Sequence, residues 1–200
     1  MEKVLFINTS SDQTGVLRHA IDYCVSCLKE EGIDAYVWNT EGKIHPCTSC
    51  GKCIKQRKCI FEDAVNQIAG SMKDYDGVII GSDVFYGEPD EQCVWLLERL
   101  FRSSVEQMAD KPASVILHAR SGKGNHAFNE ISQWFHYADM PVITSFNCYT
   151  VQNDQDEAGM ESLRKLAQQM AWLLKSIEAG KEKGVTQVCD IPDKLTDFTR

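Results

Sequence analysis

The chain of 200 residues is 43% hydrophobic and carries a formal net charge of -8. That is enough apolar material for one sizeable core without disulfide staples. The acidic balance excludes nucleic acid as the main partner, because a phosphate backbone calls for a basic face. No apolar run is long enough to span a bilayer, and MEKVLFINTS leads straight into a strand-like segment. The expectation is a cytoplasmic protein with no membrane partner. Nine cysteines is an odd number, and a reducing compartment keeps thiols free, so a metal or redox role outranks a disulfide framework.

Taken in order, the hydrophobic pattern alternates strand and helix. Lys3 to Asn8 (KVLFIN) reads as a buried strand, the polar loop TSSDQTG follows, and a helix runs from about Val16 to Glu31. Ile33 to Trp38 is a second strand, followed by a cysteine-rich loop and a short helix from Glu62 to Met72. Gly77 to Gly81 (GVIIG) is apolar throughout, as a strand buried on both faces should be. Pro89 suits the first turn of a helix reaching about Val105. Ala113 to Leu117 is a fourth strand, Asn125 to Ala138 a helix, Pro141 to Phe146 a fifth strand, and Glu157 to Ala179 a closing helix. Five strands alternating with helices predict a doubly wound α/β domain over residues 1–180, with a cysteine-rich insertion at 43–61 and a tail at 181–200.

In such a sheet ligands bind beyond the carboxyl ends of the strands, and three loops lie there. Thr9 to Gly15 offers hydroxyls, amides and the free N–H groups of a helix start, an arrangement that suits an anion and equally suits a plain helix cap. Gly81 to Gly87 (GSDVFYG) places glycines where backbone can approach a flat ligand, with Phe85 and Tyr86 to border an aromatic ring; a glycine turn bearing surface aromatics is the plainer account. His118 to Asn125 (HARSGKGN) is rich in donors and glycine. Each signal is weak alone, and the three share one sheet edge.

The segment HPCTSCGKCIKQRKC sets Cys47, Cys50, Cys53 and Cys59 in a C-x2-C-x2-C-x5-C array. No helix or strand period puts all four on one apolar face. Three cysteines two residues apart can turn inward on one iron–sulfur cluster while a fourth closes the cage. A closed four-thiolate zinc site is the main rival, and an empty reduced loop is the third possibility. Lys43, Lys52, Lys55, Arg57 and Lys58 surround the array, a positive field that favours thiolates and offsets a negative cluster. Cys24, Cys27 and Cys93 fall inside helices, where packing explains them better. No G-x-S-x-G element supports a serine hydrolase.

Two stretches carry a family resemblance. IHPCTSCGKCIKQRKCIFED resembles an I-x-P-C-x-x-C-x-x-C loop with a fourth cysteine and an acidic pair. DYDGVIIGSDVFYGEPDEQCVWLLER is similar to a D-G-I-I-x-G-S-P-x-Y-x-G segment and its helix. Both are features of the flavodoxin-like NAD(P)H-dependent FMN reductase superfamily, in its iron–sulfur flavoprotein branch. The resemblance implies a flavodoxin-like five-stranded parallel sheet, an FMN-dependent oxidoreductase, and a 4Fe-4S cluster beside the flavin, with zinc as the second choice. It further implies electron exchange with ferredoxin or NAD(P)H and a homodimer or homotetramer. A non-enzymatic zinc-binding or redox-sensing module is the alternative.

The positions it implies for flavin are Thr9, Ser11, Gln13, Thr14, Gly15 and Val16 at the phosphate, Ser82, Asp83, Val84, Phe85, Tyr86 and Gly87 in the second loop, and His118, Ala119, Arg120 and Gly122 in the third. Cys47, Cys50, Cys53 and Cys59 would hold the metal. The chain departs from the family's S-P-R-x-x-G-N-T phosphate loop, losing its arginine and gaining Asp12, and Asp83 replaces the usual proline.

Overall fold

The computed structural model describes residues 2–40, 42–121, 123–145 and 150–185. Strand β1 (Lys3–Asn8) leads through the first loop into helix α1 (Val16–Glu30), and β2 (Asp34–Asn39) enters the cysteine insertion. Inside that insertion lies a short helix, α2 (Lys52–Gln56), followed by α3 (Ala64–Ser71) and β3 (Gly77–Phe85). A two-residue strand, β4 (Glu88–Pro89), folds back on β3 before α4 (Glu91–Ser104). The chain continues through β5 (Ala113–His118), α5 (Asn125–Tyr137), β6 (Thr150–Val151) and α6 (Glu157–Glu182).

The parallel strands lie in the order β2-β1-β3-β5-β6, so the connection reverses direction beside β1. Alternation along each strand splits the core into two layers. Leu5, Ile7, Val78, Ile80, Val115 and Leu117 face one apolar cluster with residues of α3, α4 and α5. Val4, Phe6, Ile79 and Ile116 face the other, with α1 and α6. Cys24 and Cys27 are buried in that second layer and Cys93 in the first, packed as small apolar groups. A Cβ on Gly81 would lie 2.7 Å from Ile21 Cδ1, so glycine lets α1 settle directly onto β3. Among the described residues no helix is long and apolar enough to cross a membrane.

Two elements differ from expectation. Pro89 does not open α4. It pairs with Val84 in the β3–β4 hairpin, where its missing N–H costs nothing at an edge, and Asp90 caps the helix by accepting from Gln92 N at 2.8 Å. Among the described residues, the expected strand at 141–146 makes only an isolated bridge, Ala113 to Val142. The edge pairing is completed by β6, whose Thr150 and Val151 lie beside Leu117 and His118. Phe146 and Cys148 fall outside the described residues, as do Gly122 and most of the 181–200 tail.

Candidate functional site

The first loop is fastened to the sheet before it can face a ligand. Thr9 is buried and spends both its N–H (3.1 Å) and its hydroxyl (2.9 Å) on Gly81 O. Gln13 donates its side-chain amide to Ser10 O at 2.7 Å. Thr14 gives its N–H (3.0 Å) and its hydroxyl (3.1 Å) to Asp12 Oδ1. These bonds hold the Asp12 carboxyl below its usual range, with the Thr14 N–H as the leading cause.

Above the carboxyl ends of β1, β3 and β5 opens a cleft of about 420 Å³, within the usual size for a small-molecule site. Eight predicted residues line it: Ser11, Gly15, Val16, Asp83, Val84, Phe85, His118 and Arg120. Ser10, Asp12, Leu17 and Ser121 line it too. Asp83 and His118 lie opposite one another on adjacent strands, and Asp83 Oδ1 meets His118 Nδ1 at 2.7 Å. Only 17% of each side chain is exposed.

The other predicted positions frame the cleft from outside its lining. Thr9 and Gln13 border a neighbouring groove with Gln92. Ser82 is buried and accepts from Asp90 N at 3.1 Å, fixing the start of α4. Ala119 is buried, its N–H on Val151 O. Tyr86 and Gly87 form the hairpin tip, both with positive φ, and Tyr86 is wholly exposed.

The four array cysteines converge on a second pocket, which Arg99, Arg102 and Phe61 also line. Left-handed backbone at Ser49, Gly51 and Arg57 turns the loop around it. Burial raises the Cys53 thiol, and like-charge repulsion from Cys59, Cys47 and Cys50 adds to this, so all three stand near it. Cys50 is exposed and shifted down, chiefly by the Lys52 N–H. Arg57 and Lys58 pair with Glu106 and Glu62; among the described residues no acid pairs with Lys52 or Lys55.

The framework around this pocket is the part that sequence reasoning missed. Arg99 is fully buried and clamps Asp63 with two bonds, at 2.5 and 2.8 Å. Its other donors reach Cys59 Sγ (3.2 Å), His45 O (3.1 Å) and Phe61 O (3.3 Å). Burial alone would raise the Asp63 carboxyl, but the Arg99 bonds and charge outweigh it and hold it low. Asn66 locks Cys59 from α3, bonding its N–H at 2.9 Å and its carbonyl at 3.0 Å. Gln92 accepts from Ile44 N at 2.8 Å. Helix α4 therefore grips both ends of the cysteine insertion. A signal was available: Arg99 sits at i+3 from Leu96 on the apolar face of an amphipathic helix, and a buried guanidinium needs an anion.

Comparison with known proteins agrees with this geometry. Residues 2–155 match the model of the family described as NADPH-dependent FMN reductase. An iron–sulfur flavoprotein of Methanocaldococcus jannaschii is 25% identical over 88% of this chain and 99% of that protein. One from Methanosarcina thermophila is 25% identical over 82% and 90%. In fold, the chain is similar to oxidised flavodoxin 1 of Bacillus cereus, with a TM-score of 0.57, 11% identity, and coverage of 86% of this chain and 98% of that one. The chain belongs to the NADPH-dependent FMN reductase family of flavodoxin-like, FMN-dependent oxidoreductases.

Proposed function

We propose that this protein is an iron–sulfur flavoprotein that moves electrons between a reduced carrier such as ferredoxin, or NAD(P)H, and an acceptor. In this reading FMN occupies the cleft and a 4Fe-4S cluster sits on Cys47, Cys50, Cys53 and Cys59. The observation that carries it is the convergence of four thiols on one pocket held to α4 by the buried Arg99.

The donor set suits a cluster. A tetrahedral zinc with Zn–S of about 2.3 Å would draw its sulfurs to about 3.8 Å of one another. Among the described residues the one group of three ligand atoms lying that close, within 4.8 Å, is Glu88, His126 and Glu130 rather than any set of cysteines. The C-x2-C-x2-C-x5-C spacing favours a polynuclear centre. Mutual repulsion at Cys53 calls for a cationic centre among the sulfurs, and the Arg99 donor at Cys59 compensates part of the remaining negative charge.

The cleft suits a flavin ring, with Val84 and Phe85 as apolar wall and Asp83, His118 and Arg120 as polar groups. Thr9, Ser11, Gln13, Thr14, Gly15 and Val16 are assigned to the phosphate and ribityl end. Ser82, Tyr86, Gly87, Ala119 and Gly122 are assigned to shaping the ring end. Bound FMN supplies the exchange between two-electron and one-electron chemistry. The residues orient and shield it: Asp83 and His118 place a hydrogen-bonded carboxylate–imidazole pair at the cleft wall, and Arg120 adds a cation. Helix α4 spans from Asp90, which bonds Asp83 O at 2.9 Å, to Arg99 at Cys59. That is roughly 13 Å along the helix axis, so one rigid element connects the two sites.

Lys52 and Lys55 offer an acidic carrier a docking face. A homodimer or homotetramer in the cytoplasm completes the reading. Anaerobic purification with a visible spectrum and counts of iron, sulfide and zinc tests it. Flavin bands with four irons and four sulfides per chain are expected; one zinc without flavin would replace this reading with the zinc module.

A further inference from the structure

Within the cleft, the first loop already holds an anion of its own. Asp12 Oδ1 accepts from Thr14 N and Thr14 Oγ1 at 3.0 and 3.1 Å, and a bond from the Gly15 N–H helps to keep the carboxyl ionised. Its other oxygen lies only 2.5 Å from where a Cβ on Gly15 would stand, so the carboxylate rests directly over the glycine. Thr14 and Gly15 lead directly into α1, whose first N–H groups carry no side-chain cap, and a phosphate seated at this loop would call on the same loop donors. The two basic residues in the first turn of α1 already have partners. Arg18 is engaged with Asp22 at 2.9 Å and Asn39 at 3.1 Å, and His19 meets Asp154 at 2.9 Å. Asp83, on the same cleft wall, adds a second carboxylate.

We propose that Asp12 is an internal occupant of the phosphate subsite, so that the flavin phosphate must displace its carboxylate to bind. The proposal rests on the reading that a flavin fills this cleft, and it assigns Asp12 as the residue setting how strongly the site prefers a phosphorylated flavin. Two anions competing for one cluster of N–H donors repel each other as well as exclude each other, whereas the neutral ring and ribityl chain are indifferent to Asp12. The phosphate therefore adds little affinity in the native protein. Removing the charge while keeping the turn should release that affinity, and asparagine does both, since its side-chain oxygen can still accept from Thr14 N.

The test titrates the flavin-stripped full-length protein with FMN and with riboflavin, following quenching of flavin fluorescence, for the native chain and for Asp12→Asn. The ratio of the two dissociation constants isolates the phosphate. Asp12→Asn should tighten FMN by about tenfold or more and leave riboflavin within about twofold. Asp12→Ser should move the ratio in the same direction, which separates the charge effect from any peculiarity of the amide. If riboflavin binds and the ratio is the same in all three proteins, Asp12 only braces its own turn and the inference is overturned alone. If neither flavin binds to any of them, the flavin reading of the cleft falls and the inference falls with it.

Discussion

Arg99 Nε donates to Cys59 Sγ across 3.2 Å, while the same guanidinium holds Asp63 through two bonds. A sulfur ligand candidate and a buried ion pair thus share one side chain. The pair is built for position as much as for energy: a planar fork can satisfy a carboxylate and a sulfur at once, which a lysine ammonium cannot do in the same geometry.

Arg99→Ala should therefore do two things. It leaves the Asp63 carboxylate without its partner, at a cost of about 3–5 kcal/mol to stability, and it frees the Cys59 end of the loop. Chemical denaturation reads the first effect and iron retention through gel filtration reads the second. Arg99→Lys should recover much of the stability and little of the retention. Equal behaviour of the two variants in iron retention would show that only charge matters at Cys59.

The depressed Asp63 carboxyl fixes the sign of a pH effect. A carboxyl lower in the folded than in the unfolded chain stabilises fully above the ordinary unfolded value of about 4, and that contribution is lost as pH falls through the folded value. The stability gap between the native protein and Asp63→Asn should be constant from about pH 7 to about pH 5 and should narrow below about pH 4. A gap that widens in acid would place the pair's contribution elsewhere.

Cys53→Ser should sharply reduce iron and sulfide together after anaerobic reconstitution, with flavin content largely kept, because the cleft is lined by different loops. Cys24→Ser should leave iron untouched. Its sulfur is buried under α6 and donates weakly to Leu163 O at 3.8 Å, far in sequence from the cysteine insertion. Full iron and sulfide in Cys53→Ser would remove the four-cysteine assignment.

The Asp83–His118 contact bears on the flavin potential. An unpaired carboxylate at the cleft wall opposes negative charge on reduced flavin and lowers its potential, and His118 at 2.7 Å offsets that charge when protonated. Asp83→Asn should raise the midpoint potential and His118→Gln should lower it, each by the order of 30 mV, the two-electron equivalent of about 1.4 kcal/mol. Spectroelectrochemical titration at equal pH and ionic strength measures both. Shifts of the same sign in the two variants would contradict opposing charges.

Much of the fold was legible because its strands are buried on both faces. KVLFIN, GVIIG and ASVIL are apolar enough to be read without knowing their partners, and β1 and the starts of β3 and β5 sit where expected, although β3 runs on through Ser82 to Phe85, residues read from the sequence as loop. The edge was less legible, since it answers to few local constraints: PVITS has strand composition, yet β6 takes the paired place. Pro89 failed for a related reason, because proline is as content at a hairpin edge as in a helical first turn. At the cysteine pocket, spacing alone pointed to the four sulfurs. The groups that hold them, Arg99, Asp63 and Asn66, are brought in from α4 and α3 by tertiary packing. An Asp63-to-Arg99 pairing 36 residues apart leaves no periodic trace.

Helix α4 also fixes an angular phase between the two sites. Asp90 at its cap and Arg99 inside it are set nine positions apart, or two and a half turns. Inserting a single residue between them would swing Arg99 by about 100° away from Cys59 and leave the cap, the hairpin and the cleft wall where they are. The length of this one helix is therefore a fixed spacer, which cannot change by one residue without uncoupling the cysteines from the cleft.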